Sequence, residues 1–187
     1  MTGSACRPGD AIIGLPSSGI HSNGLTLARD ALLKKGGLSF NDRPPELEGT
    51  TVADVLLEPT AIYVKAVLEL LASELPVNGL AHITGDGLLN LLRLEADVGF
   101  EINKPLPIPP VFKLIAKITE VKNSELYEVF NMGLGFCCIV PDGDIQAALE
   151  LLRKWHPGAD HIGQVTDREG TLSLPSIGLT GNKTGLT

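Results

Sequence analysis

Cysteine is scarce in these 187 residues: there are three, Cys6 and the adjacent pair Cys137 and Cys138. An odd number, with two neighbours inside an apolar run, fits reduced core thiols and argues against a disulfide frame or a metal knuckle. Long apolar runs are missing too, since no stretch approaches the ~18 residues that a membrane helix needs. The first ten residues, Met1 to Asp10, lack the apolar centre of a signal peptide, so a cytoplasmic setting is the default expectation. Basic residues are in deficit, 15 Lys and Arg against 22 Asp and Glu, for a formal net charge of −7 and a pI near 5.0. That balance argues against a general nucleic-acid binder, which needs a basic surface to replace counterions. It leaves local anion binding open, because a helix N-terminus binds anions without net positive charge.

What is present is ordinary for a folded soluble chain: 43% apolar and 20% charged residues in 19.8 kDa, within the range of one domain. One domain over residues 1–174 is expected, with a surface excursion at 42–59 and a flexible, glycine- and threonine-rich tail at 175–187.

The stretch around which the chain is organised runs from Gly14 to Gly24. Ala11 to Leu15 reads as a buried strand and Leu25 to Lys35 as an amphipathic helix closed by Gly36 and Gly37. Strand, polar turn and helix start make an anion cradle, because the first backbone N–H groups of a helix lack internal partners and glycines let the backbone approach an oxyanion. Ser17, Ser18, Ser22 and Asn23 add short polar groups, and His21 is the one group there that titrates near neutrality. A plain capped turn, with Ser22 or Asn23 as cap and His21 in solvent, explains the same residues equally well.

Further along, Thr51 is placed to cap a short helix over Val52–Leu57, and Thr60–Glu74 has the spacing of a helix. Gly79–Thr84 reads as a strand running into Gly85-Asp86-Gly87 and a helix start at Leu88, so the strand–glycine–helix device occurs twice. Val98–Ile102 reads as a strand, Val111–Ile118 as a helix and Glu125–Phe130 as a helix capped by Ser124. Asn131 to Gly135 then turns into a central strand, Phe136–Val140. Asp142 and Asp144 suit the start of an amphipathic helix better than a cation site. His161–Val165 and Thr171–Leu174 read as edge strands. The alternation predicts an α/β or α+β layered domain with a mixed sheet.

Four blocks in order, Gly14–Gly24, Leu57–Lys65, Gly79–Gly85 and Glu125–Gly135, resemble the C-terminal half of phosphoribosylformylglycinamidine cyclo-ligase, or aminoimidazole ribonucleotide synthetase, across nearly the whole chain. The resemblance implies a three-layer α/β/α domain and an ATP-dependent ring closure of purine synthesis, from formylglycinamidine ribonucleotide to aminoimidazole ribonucleotide. It implies a cleft completed by an N-terminal domain that holds most of the ATP and magnesium and builds a homodimer, with no cofactor expected for these residues alone and no metal ligands among them. By the same resemblance Ser17, Ser18, Gly19, His21, Ser22, Asn23 and Gly24 hold a phosphorylated ribonucleotide, with Thr84, Gly85, Gly87 and Asn131 lining the same cleft. His21 or His82 then assists proton movement; a core role for His82 and turn geometry around Asn131 remain the plain readings. One departure stands out: the family usually has three glycines followed by Glu-Asn-x-Pro-Arg, where this chain has Gly85-Asp86-Gly87 and Leu88-Leu89-Asn90. A carboxylate there opposes a phosphorylated ligand by on the order of 1–4 kcal/mol, depending on screening. The alternative to half of a cyclo-ligase is a stand-alone phosphate- or ribonucleotide-binding module, or a dimerisation domain without catalysis.

Overall fold

In a computed structural model, which describes residues 2–187, the run Ala11–Pro16 forms strand β1 in the interior of an eight-stranded sheet. The other strands are β2 (Gly79–His82), β3 (Gly99–Ile102), β4 (Leu134–Val140), β5 (Asp160–Thr166), β6 (Leu172–Leu174), β7 (Leu179–Asn182) and β8 (Gly185–Leu186), in the order β2-β4-β1-β5-β3-β6-β7-β8. Neighbours are antiparallel except β3 and β6, and Leu15 lies opposite Phe136, which lies opposite His82.

Helices cover both faces, which is why β1 and β4 read as continuous apolar runs. Ala11, Ile13, Leu15, Cys138 and Val140 pack with Ala66 and Leu70 of α3 (Val64–Ala72) and with Ala148, Leu149 and Leu152 of α6 (Ile145–Arg153). The alternate residues Ile12, Cys137 and Ile139 face the larger cluster. There they meet helix α1 (Leu25–Arg29, continued by a wide π-helical turn over Asp30–Lys35), α2 (Val52–Leu57), α4 (Pro110–Thr119) and α5 (Asn123–Val129). The result is the expected three-layer α/β/α arrangement. Each fully buried isoleucine of β1 contributes about 1.5–3 kcal/mol of apolar burial. All three cysteines are buried free thiols.

Several local expectations are corrected. β5 and β6 are interior strands, one on each side of β3, because Ile162, Val165, Leu172 and Leu174 are all buried. The expected flexible tail forms β7 and β8: Leu179 and Leu186 are buried, and the Glu128 carboxylate accepts the Leu186 N–H at 2.5 Å. The 42–59 excursion contributes Leu47 and Val52 to the core. Helix α3 begins at Val64 rather than Thr60, Lys122 and not Ser124 precedes α5, and Gly24 rather than Ser22 or Asn23 precedes α1, with no side-chain cap. The Thr51 cap is present, its hydroxyl accepting the Asp54 N–H while the Asp54 carboxylate accepts the Thr51 N–H, each at 3.0 Å. Asp142 and Asp144 sit at the start of α6 without a side-chain capping bond.

Candidate functional site

Because Phe136 of β4 lies between Leu15 and His82, the loops leaving β1 and β2 emerge side by side at one end of the sheet. They touch: a Cβ added at Gly85 would lie 3.4 Å from Asn23 Oδ1. The two glycine loops singled out in the sequence, about sixty residues apart along the chain, thus form one continuous surface.

The first loop is laced down. Asn131, buried, donates from Nδ2 to the carbonyls of Gly19 (2.8 Å) and Ile20 (3.3 Å), while its Oδ1 accepts the Ser17 hydroxyl (2.7 Å) and the Gly133 N–H (2.9 Å). Expected to line the cleft, Asn131 has its amide committed to the loop itself, so it acts as a brace. From the other side, Ser18 Oγ donates to the Pro59 carbonyl at 2.6 Å and Ser22 Oγ pairs with Thr60 Oγ1 at 3.2 Å. Ser18 and Ser22 remain exposed, Asn23 and Gly24 are half-buried, and Gly19 is buried. Gly24 has φ +79°, and a Cβ there would meet the Phe130 ring at 2.4 Å, so only glycine lets α1 start this close to α5.

His21 is 8% exposed and has φ +63°. Its Nε2 accepts the backbone N–H of Ser18 (3.1 Å) and of Ala61 (3.4 Å), and Nδ1 is buried without a partner. Burial, followed by the nearby His82, lowers its pKa. The plain reading in which His21 faces solvent is therefore overturned.

The second loop is simpler. Asn90 donates from Nδ2 to the carbonyls of Gly85 (2.8 Å) and Gly87 (2.7 Å), and the Gly87 N–H donates to Thr84 O at 3.0 Å. Asp86 and Gly87 both have positive φ, +69° and +53°, and a Cβ at Gly87 would meet the Tyr127 carbonyl oxygen at 1.9 Å. Aspartate is among the few residues that adopt this backbone readily, so the loop keeps a glycine-like path despite Asp86. The Asp86 carboxylate is ion-paired with Arg93, which reduces the repulsion expected from the sequence.

His82 is not a core histidine. It is exposed at the end of β2, its ring 5.9 Å from those of both Tyr63 and Phe136, and partial desolvation lowers its pKa. With Thr60, Tyr63, Val67, Leu68 and Phe136 it lines an apolar cavity of about 430 Å³. A second cavity of about 300 Å³ meets Ser18 and Gly19 on one side and Glu48, Asp54 and Glu58 on the other. Among the described residues no group of three or more His, Cys, Asp and Glu converges as a metal site.

Two residues of the site escaped the sequence reading. Tyr63, which falls within the Leu57–Lys65 block, donates its hydroxyl to the Pro16 carbonyl at 2.9 Å and stacks on His156 at 4.9 Å, and burial raises its pKa. Asn90 carried a signal that was available: a single amide in the run Leu88-Leu89-Asn90-Leu91-Leu92 needs buried partners.

Residues 7–174 match the family described as AIR synthase related protein, C-terminal domain. A phosphoribosylformylglycinamidine cyclo-ligase of Pyrococcus furiosus is 49% identical over 172 residues, 92% of this chain and 48% of that protein. One of the same name from Methanothermobacter thermautotrophicus is 47% identical over 176 residues, 93% of this chain and 50% of that protein. The chain therefore spans about half the length of the curated relatives it matches. A hydrogenase maturation protein, HypE, solved in complex with ATP, shares the fold with a TM-score of 0.61 at 20% identity, over 99% of this chain and 53% of that one. No helix among the described residues is long and apolar enough to cross a membrane.

Proposed function

The chain belongs to the family of AIR synthase related proteins, as its C-terminal domain, and from that premise we propose that it is the substrate-binding half of an ATP-dependent cyclo-ligase of purine biosynthesis. The reaction is closure of formylglycinamidine ribonucleotide to aminoimidazole ribonucleotide. The observation that carries the reading is the meeting of the two glycine loops, Ser17–Gly24 and Thr84–Gly87, on one surface beside an exposed histidine.

In this reading the 5′-phosphate lies against Ser18, Ser22 and the free backbone N–H groups at the start of α1, which favour an anion by charge and by geometry. Ser17, Gly19, Asn23 and Gly24 shape the cradle, Asn131 fixes it from behind, and Thr84, Gly85 and Gly87 form the facing wall. ATP supplies the phosphoryl group that activates the amide oxygen. By resemblance to the family, ATP and magnesium are assigned mainly to an N-terminal domain or subunit, in a cytoplasmic, homodimeric assembly. His82, neutral at pH 7 with its ring open to the cleft, takes the proton released as the ring nitrogen attacks.

Titration calorimetry with inorganic phosphate and ribose 5-phosphate tests the reading. Binding that Ser18→Ala weakens supports it; binding indifferent to that change favours the alternative of a structural or dimerisation domain. The chain alone is expected to form no aminoimidazole ribonucleotide from ATP and substrate, and appreciable turnover by it would overturn the half-enzyme reading.

A further inference from the structure

Both histidines of the site were candidates for proton transfer, but their ring nitrogens are placed differently. A backbone N–H only donates, so a ring nitrogen that accepts from two of them must carry its lone pair. His21 Nε2 lies 3.1 and 3.4 Å from the Ser18 and Ala61 N–H groups and 3.1 Å from the Ser18 hydroxyl; accepting from the two N–H groups puts the ring's proton on Nδ1, and Nδ1 is sealed from solvent. The first bond closes the glycine loop on itself, and the second joins it to the Pro59–Tyr63 segment, alongside Ser18 Oγ to Pro59 O and Ser22 Oγ to Thr60 Oγ1. The titratable groups packed around the ring are Tyr63, with its centroid 6.3 Å away, and His82.

We infer that His21 is a positioning residue, a neutral clamp held in the Nδ1–H tautomer that fixes the phosphate loop against the Pro59–Tyr63 segment, and that of the two histidines His82 alone faces the ligand. The consequence for catalysis rests on the proposed function, whereas the tautomer rests on geometry alone. A proton cannot enter Nε2 of His21 without breaking both N–H bonds, so this ring neither takes nor gives a proton while the loop is closed. His82 has no such ties: its ring packs edge-on to Tyr63 and along Phe136 and opens to the cavity.

Long-range proton–nitrogen correlation spectra of the full chain labelled at histidine nitrogen test this directly. At pH 7 His21 should show a single Nδ1–H tautomer and His82 an exchanging mixture; an Nε2–H or exchanging His21 overturns the inference. A second arm titrates inorganic phosphate into variants. His21→Ala should weaken binding roughly tenfold, the equivalent of one hydrogen-bonded tie, and His21→Gln, whose amide oxygen accepts the same N–H groups, should recover most of that loss. Equal loss in both variants would make the imidazole itself the ligand contact and overturn the clamp. Should wild type bind no phosphate, the substrate reading fails while the spectra still decide the tautomer, and they do so even if His21→Ala does not fold.

Discussion

The two glycine loops share a plan and differ in how firmly they are held. In each, a buried asparagine from outside the loop's glycines captures two loop carbonyls: Asn131 takes Gly19 and Ile20, Asn90 takes Gly85 and Gly87. The first loop is also tied by His21, Ser18 and Ser22 to a third segment, Pro59–Ala61. The second has, beyond its asparagine, the Gly87 N–H bond to Thr84 O and a surface ion pair of Asp86 with Arg93. A loop laced from two sides is preorganised for its ligand and loses little freedom on binding, whereas a singly braced one can adjust. Under the proposed function, the difference assigns affinity to the first loop and adaptation to the second.

The largest expected effect lies in the second loop's backbone. Gly87→Ala must displace the Tyr127 carbonyl and hold a side chain at φ +53°, so a loss of more than about 3 kcal/mol in urea unfolding is expected. A loss under about 1 kcal/mol would show that the loop yields without cost. Next comes Asn131→Ala, which leaves the carbonyls of Gly19 and Ile20 and the Gly133 N–H without that partner; about 2–4 kcal/mol and a clear drop in phosphate affinity are expected. Asn90→Ala removes two bonds rather than four and should cost about 1–3 kcal/mol with a smaller change in phosphate affinity. Equal effects of the two asparagine changes on phosphate binding would erase the distinction between the loops.

The pH dependence follows from three histidines, His21, His82 and His156, whose pKa values are all lowered, in each case first by desolvation. A lowered histidine pKa means that the unfolded chain binds protons first as pH falls. The contribution is therefore fully present above the unfolded value near 6.5 and is lost as pH drops from there through the folded values. Thermal unfolding should show a lower Tm at pH 5.5 than at pH 7.5, and His21→Gln should flatten that slope; an unchanged slope would remove His21 from it. The smallest effect is expected for Arg93→Ala, under about 1 kcal/mol, because both partners of that pair are largely exposed.

How much of this was legible in the sequence depended on the range of the interactions. The layered fold was, because burial on both faces writes continuous apolar runs at Ile12-Ile13 and Cys137–Val140 and amphipathic spacing at Ile145–Leu152. The glycine loops were also visible, since local composition marks them. Strand neighbours were not: Thr171–Leu174 looks like an edge by length, yet β7 covers it with residues whose glycines and threonines suggested a tail. The roles of Asn131 and His21 depend on partners forty to more than a hundred residues away, Ala61 for the histidine and Gly19 for the asparagine, and no local pattern carries that pairing.

The central claim, that the laced first loop is the phosphate cradle, is tested most directly by a crystal structure of the chain soaked with ribose 5-phosphate. The account predicts the phosphate at the Ser18–Gly24 turn, against the start of α1, with the sugar toward Thr84–Gly87. Phosphate density elsewhere, or none at a concentration that saturates the calorimetric titration, would contradict it.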